Sequence, residues 1–348
     1  MRTTMKRLTA LTAAAMLLTG CSAQVESNAA EQPTAAVAET EQSASERTSS
    51  VGFYFDTVVT FTLFGADDTL MDDLKSACTR YENLLSKTIA TSDVGRLNAA
   101  EGQPVKVDPE TMTILRRAKS ISDDTEHAFS VTIAPLTALW SFKEDSPRMP
   151  SDEERIAALP LVNDDALVLG EDDTVTLPAG MEIDLGGIAK GYIADVLAAL
   201  CEKRSTGAML NFGGNVYVTG SKPDGTPYRI GVRDPKSPAD SIATVSVGQS
   251  TVVTSGIYER YFELDGVMYH HILDPKSGMP SQTDLASVTI IGESSMDADA
   301  LCTACIVLGR EKSLEMLEKL GVDALFIDRE DNVTTTQGFA EKFMLSVK

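Results

Sequence analysis

Ile183-Asp184-Leu185-Gly186-Gly187-Ile188-Ala189-Lys190-Gly191 opens the stretch on which the fold turns. Tyr192, Val196, Leu197 and Leu200 then recur at helical spacing and predict a helix over 188–203. Directly after it the period changes. Ala208-Met209-Leu210-Asn211-Phe212-Gly213-Gly214-Asn215-Val216-Tyr217-Val218 reads as strand, as do 228–232, 244–247, 258–264, 268–272 and 286–291. Two helices return only at 296–308 and 311–320, before closing strands. Strands and helices that are segregated in this way argue for an α+β fold, with mixed or antiparallel sheets and flanking helices. A doubly wound parallel sheet would alternate them.

Working outward, 52–64 reads as a strand pair or one long strand. Leu70, Leu74, Ala77, Cys78, Tyr81, Leu84 and Leu85 give a helix over 70–85, and 109–125 gives a second. A short charged helix is expected over 151–159 and a hairpin over 166–177. Residues 51–348 suffice for one large unit or two subdomains.

The N-terminus reads differently. Arg2, Lys6 and Arg7 precede an apolar run from Leu8 to Leu18, and Leu18-Thr19-Gly20-Cys21 has the pattern of a bacterial lipobox. This predicts a lipoprotein signal over 1–20 and a diacylglycerol anchor on Cys21. Residues 22–50 contain no aromatic side chain, so 21–50 is expected to be a lipidated flexible tether. The location expected is extracytoplasmic, lipid-anchored to the cell membrane, at the periplasmic side or the outer cell surface.

Without residues 1–20 the chain holds 27 basic against 51 acidic residues, a formal charge of −24. Such a chain lacks the cations that nonspecific nucleic-acid binding requires. An anionic substrate needs local help from a metal, a lysine or a helix N-terminus. Cys302-x-x-Cys305 lies in an Ala/Leu/Val-rich helix and reads as small packing residues rather than a redox or metal pair. Three histidines in all leave little for a zinc site.

Four segments can carry chemistry. In the first, two glycines precede a helix whose free N–H groups favour an anion. Lys190 falls in that helix's first turn, where a cation opposes the macrodipole unless something negative lies beside it. In the second, Gly213-Gly214 suggests a bulge or a close approach of ligand or backbone. The third pairs Thr254-Ser255-Gly256-Ile257-Tyr258-Glu259-Arg260-Tyr261 with His270-His271-Ile272-Leu273-Asp274-Pro275-Lys276-Ser277-Gly278. Neighbouring strand residues face opposite ways, so one histidine is expected to face a site and the other outward. In the fourth, Asp299 and Thr303 share a helical face and can offer a hard cation two oxygens.

Together with Ala128-Phe129-Ser130-Val131-Thr132-Ile133-Ala134-Pro135-Leu136 and Leu139-Trp140, these segments resemble, in order and spacing, the flavin transferases of the ApbE family. The resemblance runs from about Phe53 to Gly309. It implies two subdomains around a cleft for FAD as substrate and Mg²⁺ as cofactor. Gly187 (by its backbone carbonyl), Asp299 and Thr303 would be the metal ligands. Phe55, Thr88, Ser130, Val131, Thr132, Asp184, Lys190, Leu273 and Cys302 fall where the family touches FAD. His271, Asp274 and Ser277 match its H-x-x-D-P-x-[ST]-G motif at the reaction centre. Two positions depart from the pattern: Thr88, where the family often carries an aromatic, and Ser130, where it often carries Asp.

The activity implied is FAD:protein FMN transfer. A Thr or Ser hydroxyl of an acceptor protein attacks the FMN-side phosphorus and AMP leaves. His271 is expected to help deprotonate the hydroxyl, with Asp274 orienting it or the substrate. The implied acceptors are flavoproteins of membrane redox pumps or extracytoplasmic electron-transfer chains. A Mg²⁺-dependent FAD pyrophosphatase, releasing FMN and AMP, is the alternative, and a non-enzymatic flavin or solute binder is a third reading.

Overall fold

β1 (Arg47–Tyr54) and β2 (Thr57–Phe64) form an antiparallel hairpin joined by Phe55 and Asp56, whose φ values are +54° and +58°. Two positive φ values in a two-residue loop match the twist of the paired strands. The computed structural model describes residues 47–347 except 141, 143–147 and 238. The expected signal segment 1–20, the lipid site Cys21 and residues 21–46 of the tether lie outside the described residues. The last four tether residues do not behave as tether. Arg47, Thr48, Ser49 and Ser50 pair with Phe64, Leu63, Thr62 and Phe61, so the ladder begins before the aromatic-rich sequence does.

After the hairpin come α1 (Leu70–Leu85), α2 (Asp93–Asn98), β3 (Val105–Lys106) and α3 (Pro109–Asp124). They are followed by α4 (Ala134–Thr137), α5 (Asp152–Ala158), β4 (Val168–Leu169), β5 (Thr174–Thr176) and α6 (Ala189–Arg204). β6 (Gly207–Phe212) and β7 (Asn215–Gly220) make a second hairpin, so the run read as one strand is broken at Gly213-Gly214. β8 (Tyr228–Arg233), β9 (Ser241–Val247), β10 (Ser250–Gly256), β11 (Tyr261–Leu264), β12 (Val267–His270) and β13 (Leu285–Gly292) continue the chain. α7 (Ser295–Leu308), α8 (Arg310–Leu320), β14 (Asp323–Asp328), β15 (Val333–Thr335), α9 (Gln337–Lys342) and β16 (Met344–Val347) complete it.

The main sheet has eight strands in the order β1-β2-β6-β7-β10-β13-β14-β15, each antiparallel to its neighbours. This is the segregated α+β arrangement expected. Strand alternation divides its side chains between two layers. Val253, Ala324 and Phe326 pack with the helices α1, α3, α6 and α7. Val252, Leu325 and Ile327 pack with the small sheet β16-β9-β8 and with Phe339 of α9. Because the central strands are covered on both faces, β13 is buried at seven of its eight residues. The two expected subdomains are not separate: the described residues form one compact unit, because the eight-stranded sheet runs through it.

The helix α7 is buried almost all round and packs against α6, β10 and β13. Its contact with α6 is tight at Gly191, where a Cβ would come 2.1 Å from the Ser295 carbonyl oxygen. Any side chain at 191 would push apart the two helices that carry Lys190 and Asp299.

Candidate active site

The turn before α6, the N-terminal half of α7, and the β1–β2 and β6–β7 loops border one cleft of about 670 Å³. Phe55, Thr88, Ser130, Asp184, Gly187, Lys190, His271, Leu273, Asp299 and Thr303 all line it. Ten residues expected from six separate segments are thus brought together.

The electrostatic centre is Asp299, only 2% exposed. A buried carboxylate needs compensating partners, since its desolvation costs several kcal/mol. It has two. Lys190 Nζ lies 3.3 Å from Asp299 Oδ2 and also donates to the Gly186 carbonyl at 2.9 Å. The Gly191 backbone N–H donates to the same carboxylate at 3.2 Å. No side chain caps α6, so Asp299 from α7 serves its first turn instead. The cation that looked misplaced at Lys190 therefore has its anion within the protein.

Asp299, Thr303 and Gly187 converge on the same corner. Thr303 Oγ1 is one α-helical turn from Asp299, and a Cβ on Gly187 would lie 3.6 Å from that hydroxyl. Carboxylate, hydroxyl and backbone carbonyl are hard oxygen donors, the set that suits Mg²⁺. The residues present fit that ion. Among the described residues there is no group of three or more His, Cys, Asp or Glu side chains that could hold a metal ion.

Asp184 accepts from Gly186 N at 2.8 Å and pairs with Lys87 Nζ at 2.7 Å. Its own N–H donates to the Val131 carbonyl at 2.8 Å, so Val131 positions Asp184 from beneath the wall. Val131 and Thr132 are fully buried rather than cleft-lining. Ser130 Oγ, Thr132 N and Thr132 Oγ1 all donate to Oδ1 of the buried Asp164, at 2.9, 3.1 and 2.8 Å. Asp164, which no motif singles out, ties down the loop that presents Ser130.

His271 is half-buried in the wall, and its Nδ1 lies 3.3 Å from the Arg260 carbonyl. A carbonyl can only accept, so Nδ1 carries the proton and the neutral ring keeps a lone pair on Nε2. Burial, followed by the Arg260 charge, pushes the His271 pKa down to about 3. The imidazole is therefore neutral near pH 7, where an unperturbed histidine would still be about one quarter charged. His270 does not face outward as expected. It is fully buried, its Nε2 is 2.8 Å from the Ser281 carbonyl, and burial pushes its pKa down to about 4.

Besides Val131 and Thr132, three further expected residues stand off the wall. Asp274 closes its own turn, its Oδ1 accepting from Lys276 N at 2.9 Å, and Ser277 Oγ accepts from Met279 N at 3.3 Å. Their contacts shape the Pro275 turn and do not reach His271. Cys302 is fully buried, its thiol donating to the Val253 carbonyl at 3.3 Å, and burial raises its pKa well above the usual value. Cys305 is likewise free and buried, which agrees with the packing reading of Cys302-x-x-Cys305.

At the other end, Phe55 N donates to Glu82 Oε1 at 3.0 Å, and its ring lies 6.5 Å from that of Phe212. Gly213, at φ +65°, lets the β6–β7 loop close on Thr57, where a Cβ would collide with Oγ1. Thr88 is exposed, with its hydroxyl 2.9 Å from Ser86 Oγ.

Residues 55–326 match the ApbE family model. A Treponema pallidum (strain Nichols) protein named FAD:protein FMN transferase is 36% identical over 291 residues, covering 78% of this chain and 80% of that protein. A Klebsiella pneumoniae (strain 342) protein of the same name is 36% identical over 277 residues, 78% of this chain and 86% of that one. The crystal structure of the ApbE protein of Thermotoga maritima MSB8 superposes with a TM-score of 0.80 at 32% identity, covering 85% of this chain and 99% of that one. The apo Pseudomonas stutzeri flavinyl transferase ApbE gives 0.78 at 30% identity, with 87% and 98% covered.

Proposed function

The chain belongs to the ApbE family, and from that premise we propose that it transfers FMN from FAD to a Thr or Ser hydroxyl of an acceptor protein, releasing AMP. The observation that carries this reading is the convergence of Lys190, Asp299, Thr303, Gly187 and His271 on one cleft of about 670 Å³. That volume is within the range of about 300–1,000 Å³ found for small-molecule sites.

His271 Nε2 takes the proton of the acceptor hydroxyl. The oxygen forms a bond to the FMN-side phosphorus, and the bond from that phosphorus to the bridging oxygen breaks, so that AMP leaves with the electron pair. A neutral imidazole with a free Nε2 is the form this step requires. Lys190 neutralises pyrophosphate charge and, by its bond to Asp299, keeps that carboxylate from repelling the substrate. Asp299, Thr303 and the Gly187 carbonyl would hold Mg²⁺, which supplies charge neutralisation to the pyrophosphate when bound. Asp184 and the Phe55 turn bind the rest of FAD.

Hydrolysis of FAD to FMN and AMP is the second reading. The exposed, small Thr88 supports it, because water can enter beside a side chain that does not cover a ring. We further place the protein outside the cytoplasm on a lipid anchor at Cys21, near acceptors in membrane redox pumps or electron-transfer chains. The lipobox pattern Leu18-Thr19-Gly20-Cys21 supports that placement.

The test is incubation with FAD, Mg²⁺ and a candidate acceptor, followed by a denaturing gel viewed for flavin fluorescence. His271→Ala should slow labelling by about 10²–10⁴-fold, the usual worth of a general base, while FAD still binds. Undiminished labelling would remove His271 from the mechanism.

A further inference from the structure

The Arg260 backbone carbonyl accepts from His271 N at 3.0 Å and from His271 Nδ1 at 3.3 Å. Its side chain is half-buried and lines the cleft, yet the guanidinium enters no hydrogen bond or ion pair among the described residues. The other two cleft cations are both paired, Lys87 with Asp184 at 2.7 Å and Lys190 with Asp299 at 3.3 Å. Glu259, also on the cleft, interacts with Arg260 electrostatically but forms no ion pair with it, so the guanidinium keeps hydrogen-bond donors that an arriving anion can satisfy. A guanidinium presents two parallel N–H donors, which match two oxygens of one phosphoryl group.

We propose that Arg260 binds the FMN-side phosphoryl group of FAD, the group that is transferred, while Lys190 serves the pyrophosphate from the Asp299 corner. The proposal rests on the FMN-transfer reading and assigns one half of the pyrophosphate to one residue. Its basis is placement. Arg260 and His271 are bonded backbone to ring, so a phosphorus held by this guanidinium lies beside the Nε2 that takes the acceptor's proton. Arg260 forms and breaks no covalent bond. It offsets negative charge on the non-bridging oxygens while the bond to AMP breaks and the bond to the acceptor oxygen forms, and that charge grows in the transition state.

The experiment measures binding of FAD, FMN, AMP and riboflavin to the full chain and to its Arg260→Gln and Arg260→Lys variants. FMN carries the phosphate in question, AMP carries the other, and riboflavin carries neither. Arg260→Gln should weaken FAD and FMN by about 10-fold or more, the worth of a charge-assisted pair, and leave AMP and riboflavin unchanged. Retained AMP binding also shows that the variant is folded. Arg260→Lys, which keeps the charge but loses the fork, should fall between the two and serves if the Gln variant does not fold. Unchanged FMN affinity, a loss for AMP instead, or an equal loss for riboflavin would overturn the assignment. Failure of the unmodified protein to bind FAD would instead strike the FMN-transfer reading itself.

Discussion

Asp299 sits at 2% exposure with a lysine at 3.3 Å, and that pair is where the charge arrangement of the site can be tested most simply. Removing one member of a buried pair leaves the other uncompensated, at a cost of about 3 kcal/mol. Lys190→Met should therefore lower stability by about that amount, and added Mg²⁺ should restore part of it by neutralising Asp299. Asp299→Asn should abolish any rise in melting temperature with Mg²⁺. If melting of the unmodified protein ignores Mg²⁺, or Asp299→Asn still responds to it, the metal corner is wrongly drawn. Single residues were legible where a local rule was broken. Lys190 stood out because it opposed the helix dipole, although the anion that explains it lies 109 residues away and could not be read from spacing. Asp274, Ser277 and Cys302 came only from motif position; Asp274 Oδ1 and Ser277 Oγ accept bonds within their own turn, and the Cys302 thiol donates into the core. Asp164 and Lys87 gave no signal, because a polar residue in a loop looks the same whether it faces water or a buried loop.

Elements matter here through the α6–α7 pair. Asp195 of α6 accepts from Ser295 N at 2.7 Å and Met296 N at 3.0 Å, at the start of α7. Burial nevertheless outweighs these bonds and raises its pKa to about 6. The folded chain thus keeps a proton that the unfolded chain releases from about pH 4 upward. Stability contributed by the protonated form is present below about pH 4, is lost as pH rises to about 6, and is level beyond. Asp195→Asn, whose amide oxygen can still accept at a helix start, should remove that decline. Unfolding free energies measured from pH 4 to 7 should show the variant gaining on the parent over this window. A difference independent of pH would contradict the burial argument. Helix boundaries were the most legible elements, with α1 found over Leu70–Leu85 as its spacing predicts. The strand β10, which sits between β7 and β13 in the sheet, was missed. Burial on both faces leaves its sequence without the two-residue alternation that marks a half-exposed strand.

At the scale of the whole molecule, one antiparallel sheet supports helices on one face and a small sheet on the other. The cleft forms where the loops of β1–β2 and β6–β7 meet the turn before α6 and the first turns of α7. The sequence order of these parts was readable, but their meeting point depends on β2 pairing with β6 across more than a hundred residues. Lys87, Lys190 and Arg260 line the cleft beside Asp56, Glu82, Asp184, Glu259 and Asp299, so an anionic substrate meets cations there locally although the chain as a whole is strongly negative. In the proposed transfer FAD is split so that FMN stays on a protein. The most direct measurement follows both halves at once, with flavin on the acceptor after denaturation and AMP in solution. One AMP should be released for each flavin attached, and both should be lost in Asp299→Asn. Free FMN and AMP with an unlabelled acceptor, or FAD recovered intact, would contradict it.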